Sequence, residues 1–303
     1  WQIHNHWPTM EFLHNGRVHN KNIKLSPPAF LGTQIQNLNP VSILVWGAGL
    51  VWLLHNRLAR NWRWLGLTYL FFLVGMMALH AKDYYVAPIY PILFAAGGIA
   101  WEMRFAKRQS VQKDRIYAFP VIETILIVTG ILILPMAIPV MRPSTWLAYT
   151  KATHLYKTSD NTENTASGPL PQFYADRFGW QEEVDEVTRI YNSLSPEDRK
   201  KAGIICSNYG EASAINFLGH GLPFAISGHN NYWLWGPHGE TGQVMIVVSG
   251  DSAQTLRKYF ASVQIAGHLD NPYSMPYEHR NIYLARGSFK SIRDYWPSLK
   301  FYI

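Results

Sequence analysis

The sequence has very little cysteine and lacks the common catalytic motifs. Its one cysteine, Cys206, excludes an intrachain disulfide framework and a cysteine-based metal cluster. A Walker-type phosphate loop, a recognisable Ser-His-Asp triad and a His-Glu-x-x-His zinc helix are also missing. The best-known signatures of soluble hydrolases and nucleotide-binding enzymes are therefore not available to explain this chain.

The net charge of +7 does not by itself indicate a nucleic-acid partner. Many Lys and Arg residues lie in links between apolar runs, where membrane proteins carry positive charge on the cytoplasmic side. No motif for binding nucleic acid accompanies them. The mean hydropathy of −0.09 averages a strongly apolar part, at about 40–141, with a polar remainder. We therefore expect a membrane-bound first half and no nucleic-acid partner.

Four long apolar runs follow one another in the first half of the chain. Each approaches the roughly 20 residues that cross a bilayer. They predict a polytopic α-helical segment with about four transmembrane helices, at 38–57, 64–80, 85–105 and 116–141. Helices of a large soluble core are the rival interpretation, which is less favoured because four such runs are rare outside bilayers.

Basic residues in two of the links orient these helices, because such links face the cytoplasm. They are Arg57, Arg60 and Arg63 in one link, and Arg104, Lys107, Arg108, Lys113 and Arg115 in the other. This orientation predicts an outer-face loop at 1–37, a transmembrane region at 38–141, a linker at 142–172 and a periplasmic domain at 173–303. Alternating helix and strand patterns after residue 173 predict a small extracytoplasmic α/β domain with a largely parallel sheet.

The hairpin between the second and third apolar runs combines a cation, a carboxylate and two phenols: Lys82, Asp83, Tyr84 and Tyr85. A lysine neutralises a phosphate as a point charge, and tyrosines donate hydrogen bonds and stack on lipid or sugar. These residues predict a lipid-phosphate or donor-binding site at the outer interface. An aromatic belt with a snorkelling lysine explains the same residues equally well.

Three further stretches carry groups that suit ligands. The first is a polar site in the outer loop, the second a candidate sugar or acceptor site of amides and aromatic rings, and the third a candidate anion turn at a helix start. The outer-loop set is His4, His6 and Glu11. The sugar or acceptor set is His229, Asn230, Asn231, Tyr232, Trp233 and Trp235. The set at the helix start is Asn208, Tyr209 and Glu211. The aromatic set has an alternative role in packing against the membrane interface. We assign no metal ligands and no certain cofactor, and a divalent metal stays open.

Four strings, in this order, resemble bacterial family 39 glycosyltransferases, such as protein O-mannosyltransferases and the aminoarabinose transferases that modify lipid A. The strings are HWPTMEF at 6–12, KDYYVAPIYP at 82–91, SNYGEA at 207–212 and SGHNNYWLWGP at 227–237. The resemblance covers nearly the whole chain. It implies a GT-C fold and an enzyme that moves a sugar from a polyprenyl-phosphate carrier to an acceptor at the outer face of the inner membrane. Tyr85, Pro88 and Pro91 match the family element whose tyrosine lies near the carrier phosphate.

The resemblance also implies that a part is missing. Family members carry the catalytic acidic residue in the first outer loop, and this chain, which opens on Trp1, contains no such region. We therefore expect the carboxy-terminal half of the enzyme, without a catalytic residue of its own and inactive alone. The implied partners are a polyprenyl-phosphate sugar, membrane lipid, and an extracytoplasmic glycan, lipid or protein acceptor.

The alternative function is a membrane-anchored, non-enzymatic module that binds sugar or cell wall through the extracytoplasmic domain. A transporter ranks below both, because internal repeats and charges of a midplane cavity are not visible in the sequence. The reading frame upstream distinguishes the first two: further spans and an acidic outer loop indicate the enzyme, and a plain start codon indicates the module.

Overall fold

A computed structural model describes residues 1–109, 118–155 and 163–303. The chain forms two compact units. One, which we call the sheet unit, joins Trp1–Ile23 to Lys157–Ile303; the other, the helical unit, is Lys24–Tyr156. The domain boundaries predicted from the sequence stay a prediction, but the amino-terminal segment packs with the carboxy-terminal part of the chain.

Helices form most of the regular structure of both units, and short 3-10 helices connect several of them. In chain order, the described α-helices are α1 (Pro8–Val18), α2 (Pro27–Gln36), α3 (Ile43–His55), α4 (Arg63–Ala78), α5 (Tyr90–Gln109), α6 (Ala118–Ala137), α7 (Pro143–Thr153), α8 (Gln172–Ala175), α9 (Trp180–Ser193), α10 (Pro196–Arg199), α11 (Tyr209–Leu218), α12 (Asn231–Trp235), α13 (Ala253–Leu256) and α14 (Ile292–Tyr295). The segment expected as an outer-face loop, 1–37, therefore contains two helices.

The expectation of four transmembrane helices is wrong. Within the described ranges, two helical segments are long and apolar enough to cross a membrane, Asp83–Phe105 and Pro120–Ala137. A third is possible only if Pro27–Gln36 and Pro40–His55, which are bent by 100°, count as one span. A polytopic four-helix membrane segment of the GT-C kind is therefore not the architecture of the helical unit.

Helix length explains why the first two predicted spans fail. The predicted spans, 38–57 and 64–80, include residues at the edges of the apolar runs, but α3 has 13 residues and α4 has 16. At 1.5 Å per residue these helices rise about 20 and 24 Å, short of the roughly 30 Å of hydrocarbon in a bilayer. The start of the fourth predicted span, at 116, lies outside the described residues, as do Lys113 and Arg115 of the basic link and 156–162 of the predicted linker.

Two glycines bring α3 and α5 into direct contact. A Cβ atom on Gly49 would collide with the main chain of Leu93 and Gly97, and one on Gly97 would collide with the main chain of Val45. The helices therefore touch backbone to backbone, as small residues allow in membrane proteins. The Trp101 indole N–H adds a hydrogen bond of 2.8 Å to the Leu44 oxygen.

The sheet unit contains a five-stranded mixed sheet in the order β2-β1-β3-β5-β4. The strands are β1 (Ala202–Cys206), β2 (Ala225–Ser227), β3 (Val244–Ser249), β4 (Phe260–Leu269) and β5 (Arg280–Ser288). β1 is parallel to β2 and β3, whereas β5 is antiparallel to β3 and β4. The expectation of a largely parallel sheet is therefore wrong. Residues 270–279, between β4 and β5, are too few for a crossover, which takes about a dozen or more.

Both faces of the sheet are covered, so β3 is buried along its whole length. On one face, Val184, Val187 and Ile190 of α9 and Ile215 of α11 pack against the strands. Leu256, Ile292 and Trp296 cover the other face. The α9 residues recur every third position, which is why the helix turns one stripe toward the sheet.

The glycine contact predicts a matched pair of substitutions. Gly97→Ala should destabilise the helical unit by about 1–3 kcal/mol, because the added methyl forces α3 and α5 apart. Gly98→Ala, where nothing lies within 4 Å of the new methyl, should be neutral or raise the melting temperature slightly. Thermal unfolding in detergent, followed by tryptophan fluorescence, compares them. Equal melting temperatures for the two variants would contradict the close approach.

Candidate functional site

Two of the sequence strings meet at the carboxyl edge of the parallel strands. The string 207–212 follows β1 and the string 227–237 follows β2, its neighbour. Open α/β sheets bind ligands where the strand order reverses, which in this sheet is between β1 and β3, so the string after β1 borders that point. The rings of Tyr209 and His229 lie with their centroids 5.1 Å apart. The predicted anion turn and the predicted sugar site are therefore neighbours in the fold.

Glu211 occupies the anion position of the predicted turn itself. Its main-chain N–H donates to Asn208 Oδ1 at 3.0 Å, and its Oε2 accepts from the Asn208 N–H at 3.0 Å. This reciprocal capping box uses the groups that an external anion would need at the start of α11. Tyr209 is left half-exposed beside it.

A buried arginine completes this network from the other end of the sequence. Arg280, the first residue of β5, forms an ion pair with Glu211, donates to Ser207 Oγ at 2.8 Å and contacts Glu278 Oε2 at 3.0 Å. Glu211 is fully buried. Burial raises its pKa, and Arg280 opposes that rise. Because both terminal nitrogens of the guanidinium contact carboxylates, this cluster stabilises the edge and leaves Glu211 little capacity for a ligand, while Arg280 Nε has no partner among the described residues.

The segment 228–230 pairs with the chain at 301–303. The Asn230 N–H donates to the Phe301 oxygen at 2.8 Å, and the Phe301 N–H donates to the Gly228 oxygen at 2.9 Å. The Asn230 side chain contacts both main-chain groups of Ile303, at 3.0 and 3.1 Å. Its amide is therefore used within the protein.

His229 is buried in the same segment. Its Nε2 lies 3.2 Å from the Ile303 oxygen, while Nδ1 has no partner among the described residues. Burial lowers the pKa of this imidazole, so the ring is neutral at pH 7. The Phe301 ring, half-exposed, lies 5.5 Å from it.

The aromatic residues of the predicted sugar site divide into two groups. Tyr232 is buried and accepts a hydrogen bond from the Ser213 hydroxyl at 2.9 Å, and Trp233 exchanges indole N–H bonds of 2.9 Å with Trp296. Trp235 is exposed, as is Asn231. Within this set, the groups open to a ligand are therefore Asn231 and Trp235.

The outer-loop set separates in the same way. Glu11, on α1, contacts Lys300 Nζ at 2.6 Å, and this ammonium lies 5.0 Å from the Trp233 ring centroid. His4 and His6 are exposed and precede the helix. The structure thus connects Glu11 to the aromatic set through Lys300, and it leaves the two histidines apart from that contact.

The hairpin of the helical unit is a 3-10 helix, Asp83–Ile89, that runs into α5. Asp83 accepts from the Asn37 amide at 2.9 Å and from the Tyr84 N–H at 2.9 Å. Tyr84 and Tyr85 are each 48% exposed and meet edge to face at 5.0 Å. Lys82 Nζ lies 6.0 Å from the Tyr84 ring centroid. Asp83 therefore orders the turn, whose exposed groups are the two phenols, with the half-buried Lys82 beside them.

Comparisons of the chain with family models, curated proteins and solved structures find no match. Interpretation of the site therefore depends on its own geometry.

In the part of the chain that the structure describes, no group of three or more His, Cys, Asp or Glu side chains has the arrangement of a metal site. The question of a divalent metal stays open.

Sequence reasoning missed the residues that complete these sites. Arg280, Lys300 and Phe301 reach the edge from positions far from the strings they contact, and no local spacing indicates a partner so distant in sequence. Glu183, in the first turn of α9, is also absent from the residues predicted for a site. Its burial depends on packing that a helical pattern does not specify.

Substitution of Glu211 tests how much the network around Arg280 stabilises the protein. Glu211→Ala leaves Arg280 without its buried partner and removes the capping box, so we expect a loss of about 3–5 kcal/mol. Glu197→Ala, at an exposed carboxylate of α10, is the control and should change stability by less than about 0.5 kcal/mol. Melting temperatures at pH 7 measure both. Similar values would show that the cluster is dispensable.

Proposed function

We propose that this chain is part of an integral-membrane glycosyltransferase that uses a polyprenyl-phosphate sugar and an extracytoplasmic glycan, lipid or protein acceptor. The observation that carries the proposal is the hairpin. A lysine and two half-exposed phenols stand at the first turn of a segment long enough to cross a membrane. A lipid phosphate lies at that depth of a bilayer, and its charge and oxygens match an ammonium and hydroxyl donors.

Hydrogen bonds to neighbouring helices hold the backbone of the hairpin in place. Gln34, on α2, donates to the Asp83 main-chain oxygen at 3.1 Å and accepts from the Tyr90 hydroxyl at 3.0 Å. Tyr90 in turn lies 3.2 Å from the Tyr69 hydroxyl. This buried chain of hydrogen bonds fixes the backbone under Lys82, Tyr84 and Tyr85, which is the preorganisation that a phosphate site requires.

In the proposed reaction, the chain binds and orients the leaving phosphate. An acceptor hydroxyl attacks the anomeric carbon, the bond from that carbon to the phosphate oxygen breaks, and the lipid phosphate leaves. A carboxylate that takes the acceptor proton is assigned to another part of the enzyme. Lys82 with Tyr84 or Tyr85 stabilises the charge on the leaving phosphate.

The proposed location is the inner membrane, with residues 173–303 on the extracytoplasmic side. Two segments can span, and the link between them carries Lys107 and Arg108, with Arg104 near the end of the first segment. Because basic links face the cytoplasm, Asp83 and Arg142 then both lie at the outer face. The hairpin and the sheet unit would share that side of the membrane.

Binding of polyprenyl phosphate tests the hairpin. Lys82→Ala should weaken binding of the lipid phosphate by about tenfold, because a charge-assisted contact is lost. Lys151→Ala, at an exposed lysine of α7, should leave the affinity unchanged. Tryptophan fluorescence of the full chain in detergent gives the affinities. The phosphate-free polyprenol, measured in parallel, should bind both variants alike, and an unchanged phosphate affinity in Lys82→Ala would leave the hairpin as an interface anchor.

Cysteine labelling tests the orientation. In a Cys206→Ser background, Ser144→Cys should react with an impermeant maleimide in intact spheroplasts, and Gln109→Cys should react only after permeabilisation. The reason is the positive charge of the link that contains Gln109. Labelling of both positions from the same side would exclude the proposed crossing of Pro120–Ala137.

A non-enzymatic sugar-binding module is the second candidate, and one observation favours it. Tyr209 and Phe301, both half-exposed, flank His229 with ring separations of 5.1 and 5.5 Å. Paired aromatic surfaces beside polar groups suit the C–H faces of sugars. Transfer of labelled sugar by the intact enzyme, lost in Lys82→Ala, would support the transferase. Glycan binding that depends on Tyr209 but not on Lys82, without transfer, would support the module.

A further inference from the structure

The sheet unit contains a cleft that is lined by none of the residues singled out in the sequence. It has a volume of about 430 Å³ and opens between the first turn of α9 and the segment that follows β4. This volume falls in the range of small-molecule sites. Its walls include Phe178, Trp180, Glu182, Glu183, Asp270 and Glu278.

Carboxylates dominate the charge of this cleft. Glu182, Glu183, Glu186, Asp270 and Glu278 line it, and His268 is the one basic side chain among the lining residues. The nearby guanidinium groups are occupied: Arg189 contacts Glu186 at 2.6 Å, and Arg280 contacts Glu278 at 3.0 Å as well as Glu211. These arginines offset the charge of Glu186 and Glu278, so the acidic groups left to a ligand are Glu182, Glu183 and Asp270.

The position of Glu183 in the first turn of α9 does not explain why its side chain is buried. Carboxylates in the first turn interact favourably with the helix dipole, and this accounts for the exposed Glu182. Glu183, however, is only 3% exposed, and its Oε1 has no hydrogen-bond partner in the described part of the chain. A buried carboxyl oxygen without a hydrogen-bond partner is costly. The group that would satisfy it is a donor or a cation entering from the cleft.

We propose that this cleft binds the ammonium group of a small organic cation, with Glu183 as its buried partner. Phe178 and Trp180 line the same space, and aromatic rings attract organic cations. A bare metal ion fits less well, since the described lining residues lack a set of three ligands in metal geometry. The site is independent of the hairpin and of the proposed transferase reaction.

Proton exchange should accompany binding. Burial, and then the charges of Glu211 and Glu278, raise the pKa of Glu183 to about 9, while Arg280 lowers it in part. The empty site therefore holds a proton below that pH, and a bound ammonium favours the carboxylate and displaces the proton. Affinity should accordingly rise between pH 7 and pH 9. The charged groups around Glu183 are Glu182 and Glu186 on α9, Glu211 on α11, Glu278 and Arg280 before and in β5, and His268 and Asp270 at the end of β4.

Calorimetric titration of the full chain in detergent tests the site with 1,5-diaminopentane as the probe. We expect saturable binding of the diamine, proton release at pH 7.5 seen as a dependence on the buffer ionisation enthalpy, and no binding of the uncharged 1,5-pentanediol. Glu183→Gln should weaken diamine binding at least tenfold and abolish the proton release. The control, Glu197→Gln, should retain both.

The remaining outcomes bear directly on the proposal. Equal binding of diamine and diol, Ca²⁺ binding in place of the diamine, or full affinity in Glu183→Gln would each overturn it. Glu183→Gln keeps the size of the side chain and removes a buried acid, so it should fold. If its melting temperature falls, Asp270→Asn replaces it, at an exposed position of the rim. That variant should bind the diamine about threefold more weakly, and unchanged binding would count against the site.

Discussion

The buried guanidinium of Arg280 is the constraint on which the carboxyl edge of the sheet depends. It is 7% exposed and joins Glu211 at the start of α11, Ser207 after β1 and Glu278 before β5. A buried charge is tolerated only with its partners in place. The start of β5 and the turn after β1 must therefore keep one arrangement, and the pairing of β1 with β2 places the turn after β2 beside it.

The two units use their polar groups differently. In the sheet unit, the side chains of Asn230, Tyr232 and Glu211 bond within the protein, so their presence in the sequence says more about the fold than about a ligand. In the helical unit, buried polar groups fix a hairpin whose two phenols are exposed beside a half-buried lysine. That contrast is why the hairpin, rather than the aromatic string, carries the functional proposal.

Residue patterns predicted individual elements better than their assembly. Val184, Val187 and Ile190 have the spacing of a helix, and α9 is Trp180–Ser193; the apolar run at 244–248 has the pattern of a buried strand, and β3 is Val244–Ser249. The number of membrane spans was wrong, since α3 and α4 are shorter than a bilayer crossing requires. The expectation of a largely parallel sheet was also wrong, because strand patterns do not record how a chain returns to its sheet.

The sequence by itself determined the apolar character of the first half, the chemistry gathered at Lys82, Tyr84 and Tyr85, and the alternation of helix and strand after residue 173. These are local properties, set by neighbouring residues. Only the tertiary structure decided that Arg280 neutralises Glu211, that Lys300 reaches Glu11, and that Glu183 lies buried in an acidic cleft. Each of these depends on contacts between residues distant in the chain, where burial, and not residue type, determines the charge that a side chain carries.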